Sequence, residues 1–378
     1  MPKNESFWNP YRWVRASDQP IQRASPNYHH QLAGLSGRIG CELRSLTPLL
    51  IGDGQKEVAF VNHKTTTRRP FIPATSLKGA IRSLAELIGN AAVPSDKDGS
   101  DAAHAAGNAA QGVGPSLKLD IVARSFGYLE GRKDSRNQSS TVFAGLIRFS
   151  DAELIDDRPP QPLSFQVAGG QPKPTHRPFY PGKDRRKLYH HQYSLNSLTP
   201  PHGNIKEAQK RTVRPLPPET GFHFTVDFLN LRDEELNLLL YCLVLEEQVT
   251  VTLSPAALGP NARSPVTFSG PLRHKIGGCK SQGAGSCHLR ITKLLLHADP
   301  AARYRGETTA AGNTWMETDL AEELMRRTET FRQRTDATMN ELRAMLIYSE
   351  NDPRRPMNYP SFEWFKEAGS TTPLRPTL

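Results

Sequence analysis

Between Phe71 and Gly89 the chain reads FIPATSLKGAIRSLAELIG, and no other segment limits the fold as tightly. Pro73 ends an extended run, and Thr75 or Ser76 is placed to cap the free amides of a helix running from about 76 to 89. Leu77, Ile81, Leu84 and Ile88 repeat at helical spacing, which gives one apolar stripe, and Gly89 can close the last turn. Lys78 and Arg82 lie four residues apart near the positive end of the helix dipole. A helix start with open amides and two cations is a site for an anion such as phosphate. On its own, the same pattern is also that of an ordinary amphipathic helix with two solvated charges.

A second stretch, HKIGGCKSQGAGSCHLRI from His274 to Ile291, adds backbone that can approach a ligand closely. Gly277, Gly278, Gly283 and Gly285 provide it, with Lys275, Lys280 and Gln282 alongside. Cys287, Leu289 and Ile291 then alternate with polar neighbours, as a half-buried strand does. Glycine loop followed by strand is the reverse of a dinucleotide fingerprint, and no Gly-Lys-Ser/Thr of a P-loop is present.

Around these two segments the order of elements is readable. Ile39, Cys41 and Leu43 alternate in one strand, and Val142 to Phe149 reads as another. Phe222, Phe224, Val226 and Phe228 form a third, followed by a helix capped by Asp233 and carrying Leu236, Leu239, Leu240 and Leu243. Strand, helix, strand, then strand, helix, strand is the split βαβ of an α+β, ferredoxin-like (RRM-like) fold, whose sheet often serves RNA-binding modules. The expected organisation is an irregular arm over 1–36 and a βαββαβ core over 37–297. Large insertions fall at about 90–116 and 155–215, and a helical extension covers 298–378. Thr318 to Tyr348 reads as one long helix.

Net charge is +10, which favours a polyanionic partner. Residues 155–215 carry eleven Lys/Arg against four Asp/Glu and supply most of that surplus; their ten prolines predict little regular core. No long apolar run or signal-peptide pattern occurs, so a cytoplasmic protein without membrane contact is expected. The four cysteines form no Cys-x-x-Cys pair, and the histidine pairs 29–30 and 190–191 are adjacent rather than helically spaced. Neither a metal site nor a cofactor is expected.

With the pieces in order, the chain resembles the RAMP superfamily, the CRISPR-associated backbone proteins of type III effector complexes. The matching segments are LTPLLIGDG (46–54), FIPATSLKGAIRS (71–83) and GGCKSQGAGS (277–286). RSFG (124–127), the strand–helix unit from Gly221, and the passage from Ala144–Gly145 to Ser150–Asp151–Ala152 support them. WNPYRWV (8–14) and RKLYHHQ (186–192) are similar to extra motifs of the backbone-like family of subtype D systems.

The resemblance implies a subunit assembled on CRISPR RNA with other effector subunits, presenting the guide to target RNA for antiviral defence. It places phosphate contacts at Ser76, Lys78, Arg82, Lys275, Lys280 and Gln282, and at the backbone of Gly277, Gly278 and Gly283. Arg186, Lys187, Tyr189 and His190 add a further RNA-binding set within the basic excursion, which could also hold the family's thumb. Active relatives carry an Asp after a short apolar run; here that run is Val58–Val61 and the next residue is Asn62. An amide neither acts as a general base nor binds Mg²⁺ as a carboxylate does. A non-cleaving, RNA-binding role is therefore expected. The alternatives are a Mg²⁺-dependent endoribonuclease using Asp53, a guide-processing nuclease with His29 or His30 as base, and a standalone RNA-binding scaffold.

Overall fold

The computed structural model describes residues 9–31, 33–52, 58–62, 69–93, 109–129, 141–168, 185–191, 210–258, 263–297, 312–349, 359 and 362–367. Six elements form the core: β1 (Leu35–Ser45), α1 (Ala74–Ile88), β2 (two pieces, Ile147–Phe149 and Ala152–Leu154), β3 (Gly221–Leu231), α2 (Asp233–Val244) and β4 (Ser286–Leu296). The strands lie in the order β4-β1-β3-β2 and every neighbouring pair is antiparallel, which is the ferredoxin-like arrangement the sequence predicts. Cys41 sits between Phe224 on β3 and Ile291 on β4, which fixes the register at mid-sheet.

Alternation along the strands decides which face is covered. Ile39, Cys41 and Leu43 of β1 and Phe222, Phe224, Val226 and Phe228 of β3 are buried beneath α1 and α2, as are the predicted helix residues Leu77, Ile81, Leu84 and Ile88. The other face keeps its polar residues. Cross-strand pairs Arg38–Asp227, Arg44–Glu219 and Arg290–Glu42 lie there, exposed and individually weak, but consistent with one register.

Several expectations change. α1 starts at Ala74 after Pro73, and neither Thr75 nor Ser76 caps it. Asp151, arriving from the bend inside β2, accepts the Ala74 amide at 2.7 Å instead. Asp233 is the first residue inside α2; Glu235 reaches back to the Arg232 amide at 2.9 Å. The predicted long helix is two, α3 (Glu317–Arg332) and α4 (Ala337–Leu346), broken where the Asp336 side chain caps α4 through the Met339 amide.

The N-terminal arm is not wholly irregular. Tyr11–Arg15 pairs antiparallel with Arg185–Tyr189, so the two extra motifs noted in the sequence meet, Tyr11 opposite Tyr189. Tyr11, Trp13 and Trp364 form a small separate core beneath Tyr189, Tyr359 and Phe365. The basic excursion also gains order. Phe165–Ala168 pairs with Lys210–Arg214, which pairs in parallel with Val58–Ala59, and Leu50, Val167 and Val213 form a second small core.

Candidate nucleic-acid interface

The glycine loop joins the short strand His274–Lys275 to β4, at the end of the sheet where Ser45 faces Cys287. It lies on the exit of β1. The Gly278 amide donates to the Leu50 carbonyl at 2.7 Å, and the Gly285 amide to Pro48 at 2.9 Å. Two of the sequence segments that carry the resemblance are thus stitched together by backbone hydrogen bonds. Gly277 at φ +86° and Gly285 at φ +85° occupy the left-handed region, and a Cβ on either would overlap a carbonyl oxygen, Leu50's or Ile276's. Those two glycines are therefore dictated by geometry. Cys279, at φ +54°, opens the single turn Lys280–Gln282 that forms the crown of the loop.

The cations divide between inside and outside. The Lys275 ammonium donates to the Gly283 carbonyl at 3.0 Å and the Ser286 hydroxyl at 3.1 Å, and burial lowers its pKa to about 7. It is an internal strut. Ser286 is held in turn by His191 at 2.8 Å. Lys280, also lowered by burial, sits half-buried on the crown. Gln282 takes a hydrogen bond from Ser281 at 2.8 Å. Beside the crown Arg211 is exposed on the strand 210–214, close enough to bear on the Cys279 thiol, whose pKa burial raises to about 11. Sequence reasoning missed Arg211 because only strand pairing brings it here. Among the described residues, no carboxylate pairs with Lys275, Lys280 or Arg211.

The α1 residues lie elsewhere. Lys78 donates to the Ile147 carbonyl at 2.9 Å, and Ile147 faces Phe228, which faces Gly37, at the opposite end of β1 from the glycine loop. Burial lowers the Lys78 pKa, with repulsion from Arg82 and Arg148 adding to the effect. Arg82 donates to the Gly127 carbonyl at 3.0 Å and pairs with Glu86 at 3.1 Å. Ser76 is half-buried, with its amide bonded to Pro73. The α1 residues and the glycine loop, each expected to contact phosphate, therefore lie at different ends of the sheet. Lys78 and Arg82 fasten α1 to its neighbours, and a protein carboxylate already occupies the first amide of the helix.

The motif at 186–190 is likewise engaged. Arg186 pairs with the buried Glu86, and burial lowers its pKa to about 10. The Lys187 ammonium lies 3.9 Å from the centre of the Tyr11 ring, Tyr189 packs edge-on against Tyr11, and His190 is buried with its amide on Pro10. Asn62 is exposed, and its side-chain amide donates to the Phe60 carbonyl at 2.9 Å. Asp53 lies outside the described residues. Among the described residues no group of three His, Cys, Asp or Glu could hold a metal ion, and no helix is long and apolar enough to cross a membrane.

Fold and site together define a ferredoxin-like protein with a basic glycine loop at one end of its sheet. A family model, the RAMP superfamily, matches residues 42–248, more than half of the chain, and the chain belongs to that superfamily. The match runs from the last residues of β1 through α2 and ends before the glycine loop. No curated protein matches the chain. Membership points to CRISPR-associated RNA binding.

Proposed function

We propose that this chain is a guide-binding structural subunit of a type III CRISPR ribonucleoprotein, and that it does not cleave RNA. The glycine loop carries the reading. Its crown carries the half-buried Lys280 and stands beside the exposed Arg211, two cations that no described carboxylate neutralises. That arrangement attracts a sugar-phosphate backbone without reading sequence, as a guide holder must. Ser76 is the half-open position of α1 that can add a contact, whereas Lys78, Arg82, Arg186 and Lys275 shape the surface from within. Target RNA and neighbouring effector subunits are the further partners, in the cytoplasm. Asn62 at the inferred cleavage position supplies no ionisable group, so no Mg²⁺ is required.

The test is the double variant Lys280→Glu/Arg211→Glu, with guide affinity followed against salt. Loss of two phosphate contacts lowers the slope of log K against log salt by about two and weakens binding at least tenfold. Unchanged affinity and slope in a folded variant would remove the glycine loop from the interface. Incubating the assembled complex with target RNA and Mg²⁺ tests the rest. A discrete cut abolished by Asp53→Ala would make the chain a nuclease.

A further inference from the structure

His191 follows the strand Arg185–Tyr189, is buried, and reaches the base of the glycine loop. Its Nε2 lies 3.0 Å from the Arg273 carbonyl oxygen and its Nδ1 lies 2.8 Å from the Ser286 hydroxyl. A carbonyl oxygen only accepts, so Nε2 carries the proton and Nδ1 is the lone-pair nitrogen. The buried Ser286 hydroxyl therefore donates to Nδ1, which leaves its oxygen to accept from Lys275 at 3.1 Å. Lys275 also donates to the Gly283 carbonyl at 3.0 Å. Gly283, at φ +98°, closes the crown turn that Lys280 begins, and its amide bonds to the Lys280 carbonyl at 3.2 Å. One directed chain of hydrogen bonds thus runs from the crown through Lys275 and Ser286 to His191. It ends on Arg273, just ahead of the strand His274–Lys275. Tyr348 holds the imidazole edge-on at 5.6 Å, and the Tyr348 amide is itself bonded to the Pro271 carbonyl at 2.9 Å.

We infer that His191 is a positioning residue for RNA binding at the glycine loop, acting through Ser286 and Lys275 on the crown that carries Lys280. The inference rests on the guide-binding reading of that loop. It gives the segment 186–192 a part in RNA binding without RNA contact. Fastening the Gly283 carbonyl fixes the end of the crown turn and, through it, the place of Lys280 at its start. Without an acceptor at Nδ1 the Ser286 hydroxyl hydrogen loses its direction, and its oxygen is no longer committed to Lys275. Because His191 and Ser286 are buried, water does not replace the missing partner.

The test measures binding of the full chain to fluorescein-labelled poly(U) RNA by anisotropy, over a series of salt concentrations. The variants are His191→Phe, which keeps a ring against Tyr348 but makes no hydrogen bond, and His191→Gln, which retains a donor and an acceptor. Ser286→Ala cuts the chain at its middle and decides the matter if His191→Phe does not fold. Lys280→Glu/Arg211→Glu is measured alongside to test the loop itself. His191→Phe and Ser286→Ala should each bind about tenfold more weakly, with a salt slope lower by about one, as loss of the Lys280 contact requires. His191→Gln should bind close to wild type. Amide exchange at Gly283 and Ala284 should quicken in the two weak variants, which places the change at the crown. If the crown double variant loses binding while His191→Phe and Ser286→Ala bind as wild type does, the inference is overturned and the reading of the loop stands. His191→Gln as weak as His191→Phe would overturn the hydrogen-bonded chain as the cause. If the crown double variant itself binds as wild type does, the reading of the loop fails and the inference falls with it.

Discussion

Replacing Gly277 with Ala should unseat the glycine loop, whereas the same change at Gly278 should not. At Gly277 the backbone is left-handed, at φ +86°, a conformation costing an L residue about 1–2 kcal/mol. The new methyl would also overlap the Leu50 carbonyl oxygen, which accepts the Gly278 amide at 2.7 Å. Moving that carbonyl breaks the bond, at a net cost of about 1 kcal/mol. Together the loss is roughly 2–3 kcal/mol. At Gly278 a Cβ meets Leu50 atoms at 3.6 Å and beyond, an ordinary contact, so the expected change is within about 0.5 kcal/mol. Urea unfolding of the two variants alongside wild type provides the comparison, with hydrogen exchange at Gly278 reporting the local bond. Equal midpoints for the two variants, or undiminished protection in Gly277→Ala, would refute the account of how the loop is held.

Asp151→Ala removes the tertiary cap of α1 and should lower stability by about 1 kcal/mol, read in thermal melts. Glu86→Leu strands Arg186 and Arg82 beside a buried apolar side chain. Because Arg82 is about a third exposed, the expected loss is about 2–3 kcal/mol, measured by chemical unfolding. Lys275 gives a pH dependence. Its folded pKa lies near 7, below the ordinary 10.5, so between those values the unfolded chain binds more protons and stability rises with pH. Lys275→Met should remove that rise between pH 7 and 10, and a slope identical to wild type would contradict the burial of the ammonium.

The parts of the fold legible in the sequence are those set by local periodicity. The stripe Leu77–Ile81–Leu84–Ile88 and the alternation Phe222–Phe228 each report the face that is buried, and both faces are. Periodicity does not report partners. The carboxylate that caps α1 comes from Asp151, 77 residues downstream, so the start of the helix looked locally capped when it is not. Lys78 and Arg82 read as free cations for the same reason, their acceptors being the carbonyls of Ile147 and Gly127. Tyr11–Arg15 lacks a strand period of its own and is ordered by Arg185–Tyr189, far along the chain. The break between α3 and α4 had a local sign, Asp336, that the surrounding charges concealed. For the site, glycine spacing located the loop, and strand pairing was needed to reveal Arg211.

The central claim is that a guide backbone lies on the glycine loop. Photo-cross-linking of guide RNA in the assembled complex, with peptide mapping, addresses it directly. The account predicts cross-links within residues 276–285 and on the neighbouring strand 210–214, diminished by Lys280→Glu/Arg211→Glu. A complex that retains its guide while neither segment cross-links would contradict it.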